Sequence, residues 1–283
     1  MRNIDEHNIT DAVLTRFANC EDPRLKQILT SLVTHVHAFV RETRLSEEEW
    51  AQGIAFLTDT GQTCHAKRQE FILLSDTLGV SMLTVAMNQA RPPGATEATV
   101  FGPFHVDDAP ILPAGADMAS GAPGEKLFVD IEVVSLDGKA IANAEVDVWQ
   151  ADEEGFYDVQ RPELGDERRA RGVLHTDAQG RTHFSTVVPA PYPVPTDGPV
   201  GRMLLAAGGH PWRPAHIHFR IRAAGYRMLI THIFREPDPY LDSDAVFGVR
   251  SSLIGRFEHL AQGPLAQQPY STLSQRFVLA PQA

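Results

Sequence analysis

The sequence predicts an α+β protein: an N-terminal helical domain followed by an antiparallel β-sandwich. Three observations carry this. Apolar residues recur at intervals of three and four between about residues 10 and 90, where proline is scarce. From about residue 126 the apolar period drops to two. The 21 glycines and 20 prolines gather between residues 91 and 213, punctuating many short elements. With 43% hydrophobic residues the chain has apolar material for a real core, which excludes disorder over most of its length.

The elements follow in order. Between Asp22 and Thr43, residues Leu25, Ile28, Leu29, Leu32, Val33, Val36, Phe39 and Val40 mark one face of a helix. Ser46-Glu47-Glu48-Glu49 reads as a capping box that opens the next helix, with Trp50, Ile54 and Leu57 as its stripe. Glu70 to Met87 forms a third, largely apolar helical segment, ended by Arg91-Pro92-Pro93-Gly94. The domain boundary is expected at 98/99, giving a helical domain over 1–98 and a sandwich over 99–283. Lys126–Ser135 alternates as a strand. Asp137-Gly138 supplies a hairpin turn before Ala144, Val146 and Val148 resume the alternation. Further strands are expected near 172–175, 181–188, 215–222 and 227–234, without intervening helices.

Composition also excludes partners. Lys and Arg number 25 against 36 Asp and Glu, a net charge of −11, so a nucleic acid or an anionic membrane surface is repelled on average. No stretch approaches the ~18 uninterrupted apolar residues of a membrane span. Cys20 and Cys64 are isolated thiols in helical sequence, expected free and buried, which suits a cytoplasmic protein.

The chemistry lies in the second half. In the strand around Ala215-His216-Ile217-His218-Phe219, the two histidines point to one face and the apolar residues to the other, so both imidazoles can reach one metal ion. They equally decorate a solvated face unless further ligands join them. Carboxylates Asp147, Glu153 or Asp158 would complete a ferrous site, though their spacing singles out none. Two of the five tyrosines stand in unusual contexts: Tyr157 after a strand, and Tyr192 in the stiff run Pro189-Ala190-Pro191-Tyr192-Pro193-Val194-Pro195, which cannot join a sheet centrally.

Val148-Trp149-Gln150-Ala151-Asp152 with Gly155-Phe156-Tyr157, Tyr192-Pro193 with Asp197-Gly198-Pro199-Val200-Gly201, and Arg213-Pro214-Ala215-His216-Ile217-His218-Phe219 resemble, in order and spacing, the successive signatures of the intradiol ring-cleavage dioxygenases. The resemblance extends over nearly the whole chain. Val100-Phe101-Gly102-Pro103-Phe104, His210-Pro211-Trp212-Arg213 and the stretch from Tyr240 to Gly248 look most like the hydroxyquinol-cleaving members; catechol and chlorocatechol enzymes are the alternative. The resemblance implies an Fe(III) ion held by Tyr157, Tyr192, His216 and His218, with Tyr192 released to act catalytically. Arg213 would stabilise negative charge on an aromatic diol or triol attacked by O2. It also implies a substrate pocket of Leu73, Asp76, Val100, Phe101, Gly102, Pro103, Phe104, Val194, Pro195, Arg213 and Val246. Finally, it implies a homodimer through the helical domain, with a phospholipid in an apolar tunnel there.

Asp76 interrupts an apolar helix, and burying it requires a partner such as a third phenolic hydroxyl. His232 stands where the catechol enzymes usually carry glutamine; it tunes the site by a hydrogen bond or is a satisfied core histidine. Two rival functions remain open at this stage: a non-catalytic sandwich module, and an Fe(II) or Zn(II) enzyme using His216, His218 and a carboxylate.

Overall fold

The computed structural model describes residues 2–65, 68–266 and 268–282, and the chain divides into two compact units, 1–59 and 60–283. In the first, α1 (Ile9–Arg16) packs on α2 (Pro23–Thr43), and α3 (Glu47–Thr63) begins. Asp22 caps α2: its Oδ1 accepts from the amides of Arg24 and Leu25 at 2.8 and 3.1 Å, with Pro23 at the first helical position. The capping box is present, the Ser46 amide donating to Glu49 Oε2 at 2.8 Å and the Glu49 amide to Ser46 Oγ at 3.2 Å. No residue of α2 is buried, and Leu32 and Phe39 are 55% and 52% exposed. Its apolar stripe therefore covers no intramolecular core. The two cysteines are free and half-buried rather than buried.

In the second unit the expected helix Glu70–Met87 is two helices, α4 (Glu70–Thr77) and α5 (Val80–Asn88), bent by 76°. Gly79 breaks it, with φ +72° in the left-handed region where only glycine sits at little cost. No single helix among the described residues is long and apolar enough to cross a membrane.

The sandwich has a four-stranded sheet in the order β10-β11-β1-β4 and a five-stranded sheet in the order β3-β2-β7-β8-β9. The first comprises β1 (Lys126–Ser135), β4 (Arg181–Val187), β10 (Glu258–Leu260) and β11 (Tyr270–Leu279). The second comprises β2 (Glu145–Gln150), β3 (Arg171–His175), β7 (His216–Arg222), β8 (Leu229–Glu236) and β9 (Ile254–Arg256). Pairing is antiparallel except β1 with β11 and β8 with β9, which are parallel, so the sheets are mixed. The Asp137-Gly138 turn forms, but it does not join paired strands. Residues 139–141 fold back on the end of β1, and the chain then crosses to the other sheet as β2. A helix, α6 (Pro199–Ala206), also interrupts the strands, between the two-residue strands β5 (Tyr192–Pro193) and β6 (Trp212–Arg213), which pair with each other.

Between the sheets lie Leu127, Val129, Ile131, Val133, Val146, Val148, Ile217, Phe219, Ile221, Leu273 and Phe277. Because Ile217, Phe219 and Ile221 face this core, His216 and His218 face the outer side of the five-stranded sheet. Residues 99–105 lie over that side, Phe101 and His105 against Trp149 and Gly102 against His218, with the Thr99 amide bonded to Ile230 O of β8. Both faces of β2 are consequently buried.

Candidate active site

The register places Trp149, His218 and His232 in one row across β2, β7 and β8, with His216 two residues from His218 on the same face. Tyr157 reaches this row from the loop after β2. There Asp152 Oδ1 accepts from the amides of Glu154 and Phe156, and the buried Asp158–Arg171 ion pair ties down the chain just beyond. Tyr192 is held opposite Arg213 by the β5–β6 ladder. The proline-rich run thus supplies a two-residue edge pairing that needs no amide from Pro193.

These elements bring four of the expected residues together. Tyr157 Oη lies 3.3 Å from Tyr192 Oη, 3.0 Å from His218 Nε2 and 3.5 Å from His216 Nε2, and the two Nε2 atoms are 3.1 Å apart. All four side chains are buried. His216 Nδ1 sits 2.7 Å from Pro214 O, so it carries the proton and Nε2 presents a lone pair. Burial, then the Arg213 charge, lowers the His216 pKa to about 3; burial, then neighbouring His232, holds His218 well below its ordinary range. Both imidazoles are neutral. Burial, followed by Tyr192, pushes the Tyr157 phenol well above 10, so that only a strong positive charge among these atoms would ionise it.

Two buried imidazole Nε2 atoms 3.1 Å apart and two phenol oxygens converge on one point. They fit a cation. Two ionised phenols together with imidazole nitrogens make a hard, anionic donor set suited to a trivalent metal. His232 lies within the same group, the ring nitrogens of His216, His218 and His232 all falling within 4.8 Å, but its Nδ1 is engaged by Thr99 Oγ1 at 2.5 Å. Of the carboxylates that would make a ferrous site, Asp147 is engaged with His105 and Arg220 and Asp158 with Arg171, while Glu153 is exposed and lines a different cavity.

Arg213 Nη1 stands 3.4 Å from His216 Nε2. Burial opposes its charge, but Asp244 and then the tyrosines outweigh burial and hold the guanidinium above its ordinary range. Asp244 was not anticipated from the sequence. Its carboxylate, 6% exposed, takes Arg213 Nε at 2.9 Å and Nη2 at 3.2 Å and also accepts the amides of Val246 and Gly248. Nothing in its spacing distinguishes it from Asp238 or Asp242; only the folded loop does. Glu70 was also missed. Buried at the start of α4, it accepts from Arg68 Nε at 3.0 Å and from the Val200 amide at 3.2 Å, while Arg68 grips Asp197 with both Nη atoms. An acid at a helix start reads in sequence as dipole compensation; here it anchors the loop that follows Tyr192.

One cavity is lined by Leu73, Asp76, Val100, Gly102, Pro103, Phe104, Val194, Pro195, Arg213 and Val246 together with Tyr192, Arg68, Gln69 and Glu70. Of the expected pocket residues Phe101 alone does not line it; its ring packs on His105 and Trp149 at 4.6 and 5.6 Å. Gly102 must be glycine twice over: its φ is +77°, and a Cβ there would lie 2.9 Å from His218 Cε1. Burial pushes the Asp76 carboxyl up, against the Ser81 hydrogen bond and the Arg213 charge, so the pocket holds a half-compensated acid among apolar walls. A larger cleft of about 590 Å³, around Arg91 and Glu97, contains none of the expected residues.

The sequence matches the profile described as catechol dioxygenase N terminus over residues 22–96 and that described as dioxygenase over 100–281. A 6-chlorohydroxyquinol 1,2-dioxygenase of Cupriavidus pinatubonensis is 58% identical over 93% of this chain and 95% of its own. The crystal structure of hydroxyquinol 1,2-dioxygenase from Pseudomonas putida superposes with a TM-score of 0.90 at 47% identity, covering 98% of this chain and 99% of that one. A catechol 1,2-dioxygenase of Candida albicans is more distant, 37% identical over 88% of this chain and 83% of its own. With both profiles matched in order and such identity across nearly the full length, the chain belongs to the intradiol ring-cleavage dioxygenases.

Proposed function

We propose that this enzyme opens hydroxyquinol, benzene-1,2,4-triol, between its two adjacent hydroxylated carbons. Both atoms of O2 enter the product, 3-hydroxy-cis,cis-muconate, the enol form of maleylacetate. The observation that carries the reading is that Tyr192 Oη, His216 Nε2 and His218 Nε2 all lie within 3.5 Å of Tyr157 Oη. These four would hold Fe(III). Bound there, the ion would draw electron density from the chelated diol and so make a ring carbon reactive toward O2. Tyr192, on the short β5 strand at the cavity wall, is the residue placed to take up a substrate proton on its phenolate oxygen. Arg213, fixed by Asp244, holds negative charge that develops on the ring oxygens. Leu73, Val100, Val194 and Val246 clamp the ring and exclude water. Asp76, the acid among them, accepts the third hydroxyl and thereby separates a triol from a diol.

Similarity to the enzyme named for 6-chlorohydroxyquinol supports a second reading, in which a chlorinated triol is also accepted; catechol and chlorocatechols are the remaining alternatives. Oxygen uptake with hydroxyquinol, 6-chlorohydroxyquinol, catechol and chlorocatechol in parallel, with products identified, tests the assignment. The iron-loaded protein is expected to be wine-red from phenolate-to-ferric charge transfer, and an iron-replete but colourless preparation would refute it.

The reading includes a division of labour between residues 1–98 and 99–283, supported by the two profiles meeting between 96 and 100. It includes a homodimer closed by α2 and α3, whose Leu25, Ile28, Leu32, Val36, Trp50 and Ile54 are exposed. The reading also includes a bound phospholipid in the helical domain, which organic extraction with mass spectrometry tests; the cavity there, of about 230 Å³ and lined by Ile4, Ile9, Ala12, Val13 and Arg16, would hold only part of one. The two free thiols suit the cytoplasm.

A further inference from the structure

The two histidines of β7 are pinned in different ways. His216 is held by a hydrogen bond, its Nδ1 lying 2.7 Å from Pro214 O. His218 Nδ1 has no hydrogen-bond partner among the described residues, although an imidazole that ligates a metal ordinarily donates its second N–H to a carboxylate, a carbonyl or water. A flat surface stands in for that partner. Trp149, the cross-strand neighbour of His218 between β2 and β7, stacks on its ring with centroids 4.8 Å apart and planes 13° from parallel. His232, by contrast, meets the same ring at 65°. Trp149 is fully buried and meets Phe101 and His105 edge to face, at 67° and 73°, and His105 is itself tied to Asp147 at 2.8 Å. The indole Nε1 has no hydrogen-bond partner among the described residues. A buried N–H without an acceptor carries a cost that phenylalanine would avoid, so bulk alone does not account for an indole at this position.

We propose that Trp149 is a positioning residue for the metal: its π face holds the His218 ring with Nε2 turned toward Tyr157, and it favours the metal-bound imidazole over the free one. The proposal rests on the reading of His216 and His218 as iron ligands. A free, neutral imidazole stacked on indole gains an ordinary aromatic contact. An imidazole that gives its lone pair to a trivalent cation loses electron density across the whole ring and presents a partly cationic face. Indole is the side chain best suited to receive such a face, and the attraction grows where water is excluded. The stack is therefore stronger with the metal than without it, and that difference is returned as metal affinity. Phenylalanine would stack but attract less; an aliphatic side chain would only fill space.

The test measures Fe(III) and Ga(III) affinity by chelator competition on the full-length chain, and folding by thermal unfolding of the metal-free forms. Trp149→Leu is expected to weaken binding about tenfold and Trp149→Phe about threefold. Phe277→Leu, which removes a buried ring from the core between the sheets, should lower the melting temperature while changing affinity by less than about twofold. Fluorinated tryptophans placed at position 149 alone keep the ring's shape while each added fluorine thins its π face. Log affinity should fall in step along that series, with the metal-free melting temperature nearly constant. The proposal is overturned if affinity ignores fluorination, if Trp149→Leu holds the metal as tightly as wild type, if Trp149→Phe binds no better than Trp149→Leu, or if Phe277→Leu loses as much affinity as Trp149→Leu. Should Trp149→Leu not fold, the fluorinated series decides. A wild type that takes up no iron would instead overturn the ligand assignment beneath it.

Discussion

At the scale of single residues, the site is governed by where buried charge finds a partner. Arg213 and Asp244 are 3% and 6% exposed and bonded at 2.9 and 3.2 Å, so each compensates the other's desolvation. Asp244→Asn leaves the guanidinium uncompensated and is expected to destabilise the metal-free protein by roughly 3 kcal/mol, read by denaturant unfolding. Turnover should fall with it, because Arg213 loses the fork that aims it. Asp76 is the opposite case, a buried acid whose carboxyl burial pushes up against the weaker opposing pull of Ser81 and Arg213. Asp76→Ala is expected to lower kcat/KM for hydroxyquinol on the order of tenfold more than for catechol, since only the triol loses a hydrogen-bond acceptor. Equal losses in parallel oxygen-uptake assays would remove Asp76 as the discriminator.

At the scale of elements, the short segment 99–104 and the helix α2 make contrasting demands. The first is pressed onto the histidine row, and Gly102 is the residue that permits it. Gly102→Ala adds both a left-handed backbone cost of about 1–2 kcal/mol and a methyl group against His218. The expected result is a lower melting temperature and an iron content well below one per chain by elemental analysis. α2, by contrast, leaves its apolar face uncovered. Replacing Leu32 and Val36 together by glutamate should convert a dimer to a monomer in light scattering, with little loss of helix by circular dichroism, because neither side chain is part of an intramolecular core.

At the scale of the whole molecule, the histidine cluster ties stability to pH. His216, with a folded pKa of about 3 against an ordinary 6.5, stays neutral where the unfolded chain would be charged; His218 and His232 are depressed in the same direction. A depressed histidine means that the unfolded state binds the additional proton. Stability is thus complete above pH 6.5 and is lost as pH falls from 6.5 toward 3, by about 1.4 kcal/mol per pH unit for each such group. Metal-free wild type should therefore unfold at progressively lower denaturant concentration below pH 6.5, and His232→Gln should show a slope smaller by about one proton. A flat profile over that window would mean that the cluster is charged or solvated in the native state.

Much was legible from local pattern. The capping box at Ser46, strand β1, and the alternation that puts His216 and His218 on the face opposite Ile217 and Phe219 are short-range facts, dictated by backbone period and by which side chains avoid water. The resemblance extended this to Tyr157 and Tyr192, which composition alone could not distinguish from packing residues. What local pattern could not contain is pairing between distant segments. The break at Gly79, the parallel pairing of β1 with β11, the crossing of the chain after Asp137-Gly138 and the choice of Asp244 over its neighbouring acids depend on what lies across space. The side chains themselves determined which groups could carry the chemistry. Only the tertiary structure decided which of them meet, because the cost of burying a charge or a ring nitrogen is set by neighbours that stand far away along the chain, as Thr99 does from His232.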